Sequence, residues 1–248
     1  MFTLAEVFHP AEQSKRTAFT LAEVLITLGI IGVVAALTIP SLVAKHQEKQ
    51  TVVKLKKVYS LLTQTYTQIK EEEGGGPLSY HTFKDSDAEM MKRFGKYIKF
   101  AKECPTYSAG CFDYKQNYKT IKGEYYGNFG GGEDILVRSS AILADGTTMM
   151  FNIRSHTEDA YGQIYVDTNG SKGPNQLGVD FFYFFLWPQR IIVGGAPTCG
   201  ADGCNYNGFI SNCLNGSGTA CGAWVIYNEN MDYLHCDDLS WQGKHKCK

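Results

Sequence analysis

The chain has 248 residues, 24 basic and 25 acidic side chains and a formal net charge of -1. That length holds one sizeable globular domain with an accessory element, or two small domains, and is not a minimal scaffold. Near-neutrality excludes a global field drawing the chain to nucleic acid or to an anionic surface, so any such binding has to be local.

Residues 1–18 are a polar leader with Lys15 and Arg16 just ahead of an apolar segment. A secretory signal peptide places its small-residue cut after the apolar core. Here the small residue, Ala18, precedes the core, so cleavage at that point leaves the apolar segment attached. Phe2 to Val7 reads Phe-Thr-Leu-Ala-Glu-Val, identical to Phe19 to Val24. The first copy runs into Phe8, His9 and Pro10 and cannot extend into a spanning helix.

Ala22 to Val43 is 22 residues long, and at ~1.5 Å rise per residue it reaches across a bilayer core. Glu23 is its one ionisable side chain, and a carboxylate at bilayer depth costs on the order of 2.5–3.5 kcal/mol. Such a group needs a partner, or a place in the first turn beside the headgroups, where the helix dipole favours an acid. Gly29 and Gly32 have the small-residue spacing that permits close helix approach, and are equally ordinary in a membrane helix. Pro40 removes a backbone donor and is expected to kink or loosen the helix.

Past residue 44 the apolar residues become periodic. Val52, Leu55, Tyr59, Leu62, Tyr66 and Ile69 mark one helical face, with Lys54, Lys57, Gln64 and Gln68 opposite. One helix from Thr20 to Glu73 is predicted, ended by Gly74-Gly75-Gly76-Pro77. The domains follow: leader 1–18, spanning half-helix 19–44, amphipathic continuation 45–73, linker 74–77 and a globular domain 78–248.

A short helix is predicted around Asp87 to Lys96. Strands are predicted at Ile135–Val137, Ala141–Leu143, Thr148–Ile153, Gln163–Val166, Phe181–Leu186 and Ala223–Tyr227, with Asp145-Gly146 as a two-residue hairpin signal. They lie close together without helical crossovers, so the sheet should be antiparallel. The fold class is therefore α+β: a long N-terminal helix followed by a small antiparallel sheet with disulfide-rich loops. Phe181 to Phe185 alternates too little for a one-faced strand and is expected to be central or covered by the helix.

The segment from Asp167 through Asn169 to Asp180 is an oxygen-rich loop between two apolar strands, offering ligands of the kind calcium prefers. It is not an EF-hand, because Gly178 stands where the bidentate acid belongs. The competing reading is a plain turn, with Asn169-Gly170 supplying positive φ. Residues 196–222, rich in Gly, Cys and Asn, read as loops held by disulfides.

All eight cysteines, Cys104, Cys111, Cys199, Cys204, Cys213, Cys221, Cys236 and Cys247, lie in the downstream part. Their even number suits a disulfide framework in an oxidising compartment. Neighbour pairing, such as Cys104 with Cys111, is the expectation, and zinc at Cys199 and Cys204 is the rival. His235, Cys236, Asp237, Asp238, His245 and Cys247 could be drawn as a metal site, but disulfides and surface histidines explain them in an oxidising setting, and Trp224, Tyr227, Tyr233 and Trp241 read as core. One feature opposes an extracytoplasmic C-terminal part: Lys45, Lys49, Lys54, Lys56 and Lys57 outnumber Lys15 and Arg16, against the positive-inside rule.

Lys15-Arg16-Thr17-Ala18, then Phe19-Thr20-Leu21-Ala22-Glu23, then Val24 to Pro40, resembles the type IV prepilin and type II secretion pseudopilin superfamily. The resemblance is specific from Lys15 to about Lys57 and architectural beyond. It implies cutting by a membrane prepilin peptidase between Ala18 and Phe19, N-methylation of Phe19, and pairing of Glu23 with the Phe19 amine of a neighbouring subunit. Pro40 matches the proline where the family's helix locally melts in a filament. Ala18 departs from the glycine the family more often carries. The implied partners are the prepilin peptidase, other pilin or pseudopilin subunits and the inner membrane, with no nucleic acid. Some major pseudopilins bind calcium in a loop of this domain, which bears on Asp167, Asn169 and Asp180, and no cofactor is required. No catalytic signature is present, so the expectation is a structural subunit rather than an enzyme. The alternative is a membrane-tethered binding module using Cys199 to Cys247, which keeps its leader and does not assemble.

Overall fold

The computed structural model describes residues 20–106, 110–111, 116–128, 139–153, 160–197 and 206–248. It has the expected α+β order, a long helix followed by an antiparallel sheet. The chain divides into two compact units, Met1–Lys45 and His46–Lys248.

Helix α1 spans Leu21–Glu72 and carries Pro40 in its interior without being terminated there. Its start is a capping box. The Thr20 amide donates to Glu23 Oε2 at 2.8 Å, and the Glu23 amide donates to Thr20 Oγ1 at 3.2 Å. That exchange satisfies two of the amides a helix start leaves unpaired. The end is equally specified: Gly75 N–H donates to Lys70 O and Gly74 N–H to Glu71 O, with Gly74 at φ 84°. These are the two bonds of a Schellman motif, for which glycine supplies the left-handed residue.

Between these ends α1 changes character. Within the second unit Val52, Leu55, Val58, Leu62, Tyr66 and Ile69 are buried, the predicted stripe with Val58 added. Tyr59 is partly buried and stacks on Phe184 with ring centroids 6.3 Å apart. The opposite face is not idle: Lys54 Nζ donates to Asp145 O and to Thr168 O, and Lys57 pairs with Asp145 at 2.7 Å. Burial pushes the Asp145 carboxyl up, but Lys57 and the Thr147 N–H outweigh it and hold the group down at about 2.

A turn of 3-10 helix, Tyr80–Phe83, leads into α2, Asp87–Gly95, capped by Ser86, whose hydroxyl accepts from Glu89 N–H. The strands are β1 Lys102–Cys104, β2 Asn117–Lys119, β3 Tyr125–Asn128, β4 Ser139–Ile142, β5 Thr148–Ile153, β6 Gly162–Asp167, β7 Phe181–Leu186 and β8 Ile191–Val193. The main sheet has the order β1-β4-β5-β6-β7-β8 with every pair antiparallel, and β2–β3 form a separate ribbon. The β4–β5 connection is one residue longer than the expected two-residue turn: Leu143 N–H bonds Thr147 O, leaving Ala144, Asp145 and Gly146 as a three-residue loop with Gly146 at φ 82°. The predicted strand Ile135–Val137 lies outside the described residues.

The sheet is buried on both faces, as β7 suggested. Phe182, Phe184 and Leu186 join the α1 core together with Met149, Phe151, Ile164 and Val166. Phe181 and Tyr183 point the other way into a second cluster with Tyr118, Met150, Tyr165 and Leu177. Tyr118 of the β2–β3 ribbon is what closes that side.

Two expectations for the C-terminal region are corrected. Ala223 to Tyr227 is not a strand but most of helix α4, Gly222–Asn228. A five-residue apolar run fits either period, and only packing arbitrates: Ala223 N–H bonds Gly194 O, and Phe209 stacks on Trp224 at 4.2 Å. Residues 196–222 are not loop throughout, since α3, Tyr206–Phe209, continues into a π-helical turn, Ile210–Leu214. Trp224 and Tyr233 are core and Trp241 packs against it, but Tyr227 is half-exposed. Disulfides join Cys104 to Cys111, Cys213 to Cys221 and Cys236 to Cys247, whereas Cys199 and Cys204 lie outside the described residues.

Because nothing lies near a Cβ built on Gly74, Gly74→Ala tests backbone conformation alone. It is expected to cost about 1 kcal/mol, read as a drop of about 2–4 °C in the thermal midpoint.

Candidate functional site

The first candidate is the N-terminal part of α1. Its apolar residues are exposed among the described residues: Leu21 is 78% exposed, Ile31 63% and Leu37 76%. The most apolar 18-residue window contains no buried residue, and the helix is long and apolar enough to cross a membrane. Among the described residues nothing lies within 4 Å of a Cβ built on Gly29 or Gly32, so their small size meets no need there. Thr27, Thr38 and Ser41 return their hydroxyls to the helix, donating to Val24 O, Val34 O and Thr38 O. No side-chain hydroxyl of this group is therefore left to be solvated in an apolar medium.

At the head of this surface, Glu23 accepts from both the amide and the hydroxyl of Thr20 at 2.8 Å. The carboxylate thus has a local partner, which the sequence reading left out although Thr-x-x-Glu before an apolar run announces it. Ala18 and Phe19 lie outside the described residues. Pro40 lies within α1, 17 residues beyond Glu23 in sequence, and the two are not brought together.

The second candidate is the loop from Asp167 to Asp180, which joins β6 to β7. The sequence singled out Asp167, Asn169 and Asp180, and the fold brings all three together. Asp167 is 1% exposed and Asp180 2%. Asn169 links them, its backbone N–H donating to Asp167 Oδ1 at 3.1 Å and its Nδ2 to Asp180 Oδ2 at 3.1 Å. Tyr118 O–H donates to Asp167 Oδ2 at 2.8 Å. Asn175 N–H and Gln176 N–H donate to the two oxygens of Asp180 at 2.8 and 2.6 Å. Thr168 closes the neck, its N–H and hydroxyl both donating to Asp180 O. Tyr118 and Gln176 had no signal in the sequence, because each reaches the loop only through the β2–β3 ribbon or the turn itself.

Neither carboxylate has an ion-pair partner among the described residues; Lys54 reaches Thr168 O instead. Burial, and then the neighbouring Asp180, push the Asp167 carboxyl up to about 8. Burial also raises Asp180, against the N–H groups of Gln176 and Asn175. Two buried acids without a counter-cation cannot both ionise cheaply.

The donor set is of the oxygen kind that calcium takes, and Asn169 Oδ1 and Asn175 Oδ1 are buried without a hydrogen-bond partner. Every carboxylate oxygen, however, already accepts an N–H or O–H. In this arrangement the loop fits a brace held by protein donors and a retained proton, and an ion would have to displace those donors. The brace is backed by the C-terminal region: Tyr233 O–H donates to Gly178 O at 2.7 Å. A Cβ at Gly178 would stand 2.8 Å from Cys221 Sγ, at a residue with φ 74°.

Since the folded Asp167 retains its proton to about pH 8 while an unfolded aspartate releases it near 3.8, its stabilising effect is full below pH 3.8 and is lost as pH rises through 8. Thermal midpoints across that window should fall with rising pH in the wild type and fall less in Asp167→Asn. Calcium at neutral pH should leave the midpoint unchanged; a rise would reassign the loop as a cation site. Gly178→Ala should destabilise by about 1–3 kcal/mol, from strain and the clash with the Cys213–Cys221 bridge.

Comparisons with family models, with curated proteins and with solved structures return no match.

Proposed function

We propose that the chain is a structural subunit of a type IV pilus-like or type II secretion pseudopilus filament, anchored in the inner membrane by the first part of α1 before assembly. The observation that carries this reading is the contrast within one helix. Residues 52–69 place their apolar face in the domain core, while residues 21–43 leave theirs exposed among the described residues. Burying a side chain such as Leu or Ile is worth about 1.5–3 kcal/mol. A run of them left exposed needs an external partner, first lipid and then the equivalent helices of other subunits.

In this reading a prepilin peptidase cuts between Ala18 and Phe19, and the new Phe19 amine is methylated. The domain from His46 onward lies outside the cytoplasm, where the three described disulfides persist. Glu23 has two alternative partners, its own Thr20 in the isolated subunit and the Phe19 amine of a neighbour in the filament. Exchange between them keeps the carboxylate satisfied throughout. The subunit performs no chemistry of its own.

N-terminal sequencing of protein made with and without a prepilin peptidase tests the proposal. The expected product is a chain starting at methylated Phe19. An intact leader, or a terminus beyond the apolar run, would remove it. Glu23→Gln should lose at least tenfold in filament incorporation while Glu23→Asp retains more, read by shearing or cross-linking of assembled subunits; equal incorporation of both would remove the role assigned to that carboxylate.

A further inference from the structure

Five lysines follow the apolar run, Lys45, Lys49, Lys54, Lys56 and Lys57, and a site for an anion needs those whose ammonium is not already engaged. The fold removes three of them. Lys54 is bound to the carbonyls of Asp145 and Thr168, Lys56 to Glu229 and Lys57 to Asp145. Nearby Glu48 is also engaged, 3.0 Å from His235 Nε2. Lys45 and Lys49 are exposed, and neither side chain has an ion-pair or hydrogen-bond partner among the described residues.

These two lysines are four residues apart on α1 and so share a helical face. Measured along the helix from Val43, they lie ~3 Å and ~9 Å beyond the end of the apolar run. The polar layer of a bilayer is roughly 5–7 Å deep on each side. Side chains on a helix lean toward its N-terminus, here back toward the apolar run. Lysine stems lie on apolar surface while the ammonium seeks the polar layer. Both ammonium groups therefore reach phosphate depth, in a segment whose one acid, Glu48, is turned to His235.

We propose that Lys45 and Lys49 form a contact site on α1 for the phosphate of anionic phospholipids, in the leaflet where the helix leaves the membrane. This rests on the anchor reading above and adds a lipid preference to it. The two contacts hold the subunit at a fixed depth, and drawing it into a filament requires releasing them.

The test uses the full chain in nanodiscs of mixed phosphatidylcholine and phosphatidylglycerol, with the lipids retained on the protein after mild extraction identified by mass spectrometry. At about 1 kcal/mol per lysine, phosphatidylglycerol should be enriched by up to roughly thirtyfold at low salt, and less at high salt. The Lys45→Gln/Lys49→Gln double variant should lose most of that enrichment, while Lys56→Gln, whose cation is already paired with Glu229, should keep it. Equal retention of the two lipids by the wild type, unchanged enrichment in the double variant, or an equal loss in Lys56→Gln each overturns the headgroup site while leaving the anchor intact. Failure of the chain to enter nanodiscs of either composition overturns both.

Discussion

Packing of the second part of α1 against the sheet is the contact on which the remainder of the domain depends. Leu55, Val58, Leu62 and Ile69 are fully buried there, and the same helix surface organises polar contacts around them. Lys54 and Lys57 reach the β4–β5 turn at Asp145. Tyr66 shares a hydroxyl contact with Tyr161 at 2.7 Å and bonds Trp187 O. Arg93 of α2 pairs with Glu73 at 2.6 Å just past the end of α1. Each of these polar ties is modest alone, and the partly exposed ion pairs contribute little. They select which loops lie beside the helix once hydrophobic burial has placed it.

The far side of the sheet is held differently. An aromatic cluster of Tyr118, Tyr165, Phe181 and Tyr183 covers it, and beside that cluster the β6–β7 loop closes on two buried acids. A loop of this length has little apolar surface of its own, so its shape comes from hydrogen bonds saturating Asp167 and Asp180. Tyr118 serves both systems, packing at a tilt against Phe181 with centroids 4.4 Å apart and donating to Asp167. The retained proton is the consequence of that economy: the carboxylates organise backbone N–H groups well, and their mutual repulsion in a dry site is relieved by keeping one neutral. The three described disulfides each close a short loop, and Cys221 packs directly under Gly178, which joins the disulfide-bonded region to the loop.

Sequence alone determined the features that repeat or that depend on a single residue's chemistry. The period of Val52 to Ile69 fixed the buried face of α1, the Gly74-Gly75 pair fixed its end, and an uninterrupted apolar run fixed a helix able to cross a membrane. Thr148–Ile153 and Phe181–Leu186 were legible as strands because β-branched and aromatic residues fill them between turn signals. Asp167, Asn169 and Asp180 were legible as a group because one short loop carries them. Tertiary structure decided what local pattern leaves degenerate. Ala223 to Tyr227 became helix because Gly194 and Phe209 offered it a helical berth rather than a strand partner. The acids became a brace because Tyr118, distant in sequence, supplied a hydroxyl. Three of the five lysines that follow the apolar run are engaged because their partners, Asp145, Thr168 and Glu229, are brought to them only by folding. Periodicity and turn chemistry act over a few residues and can be read locally, whereas a partner's identity depends on contacts between residues far apart in the chain, as with Lys54 and Thr168, 114 positions apart.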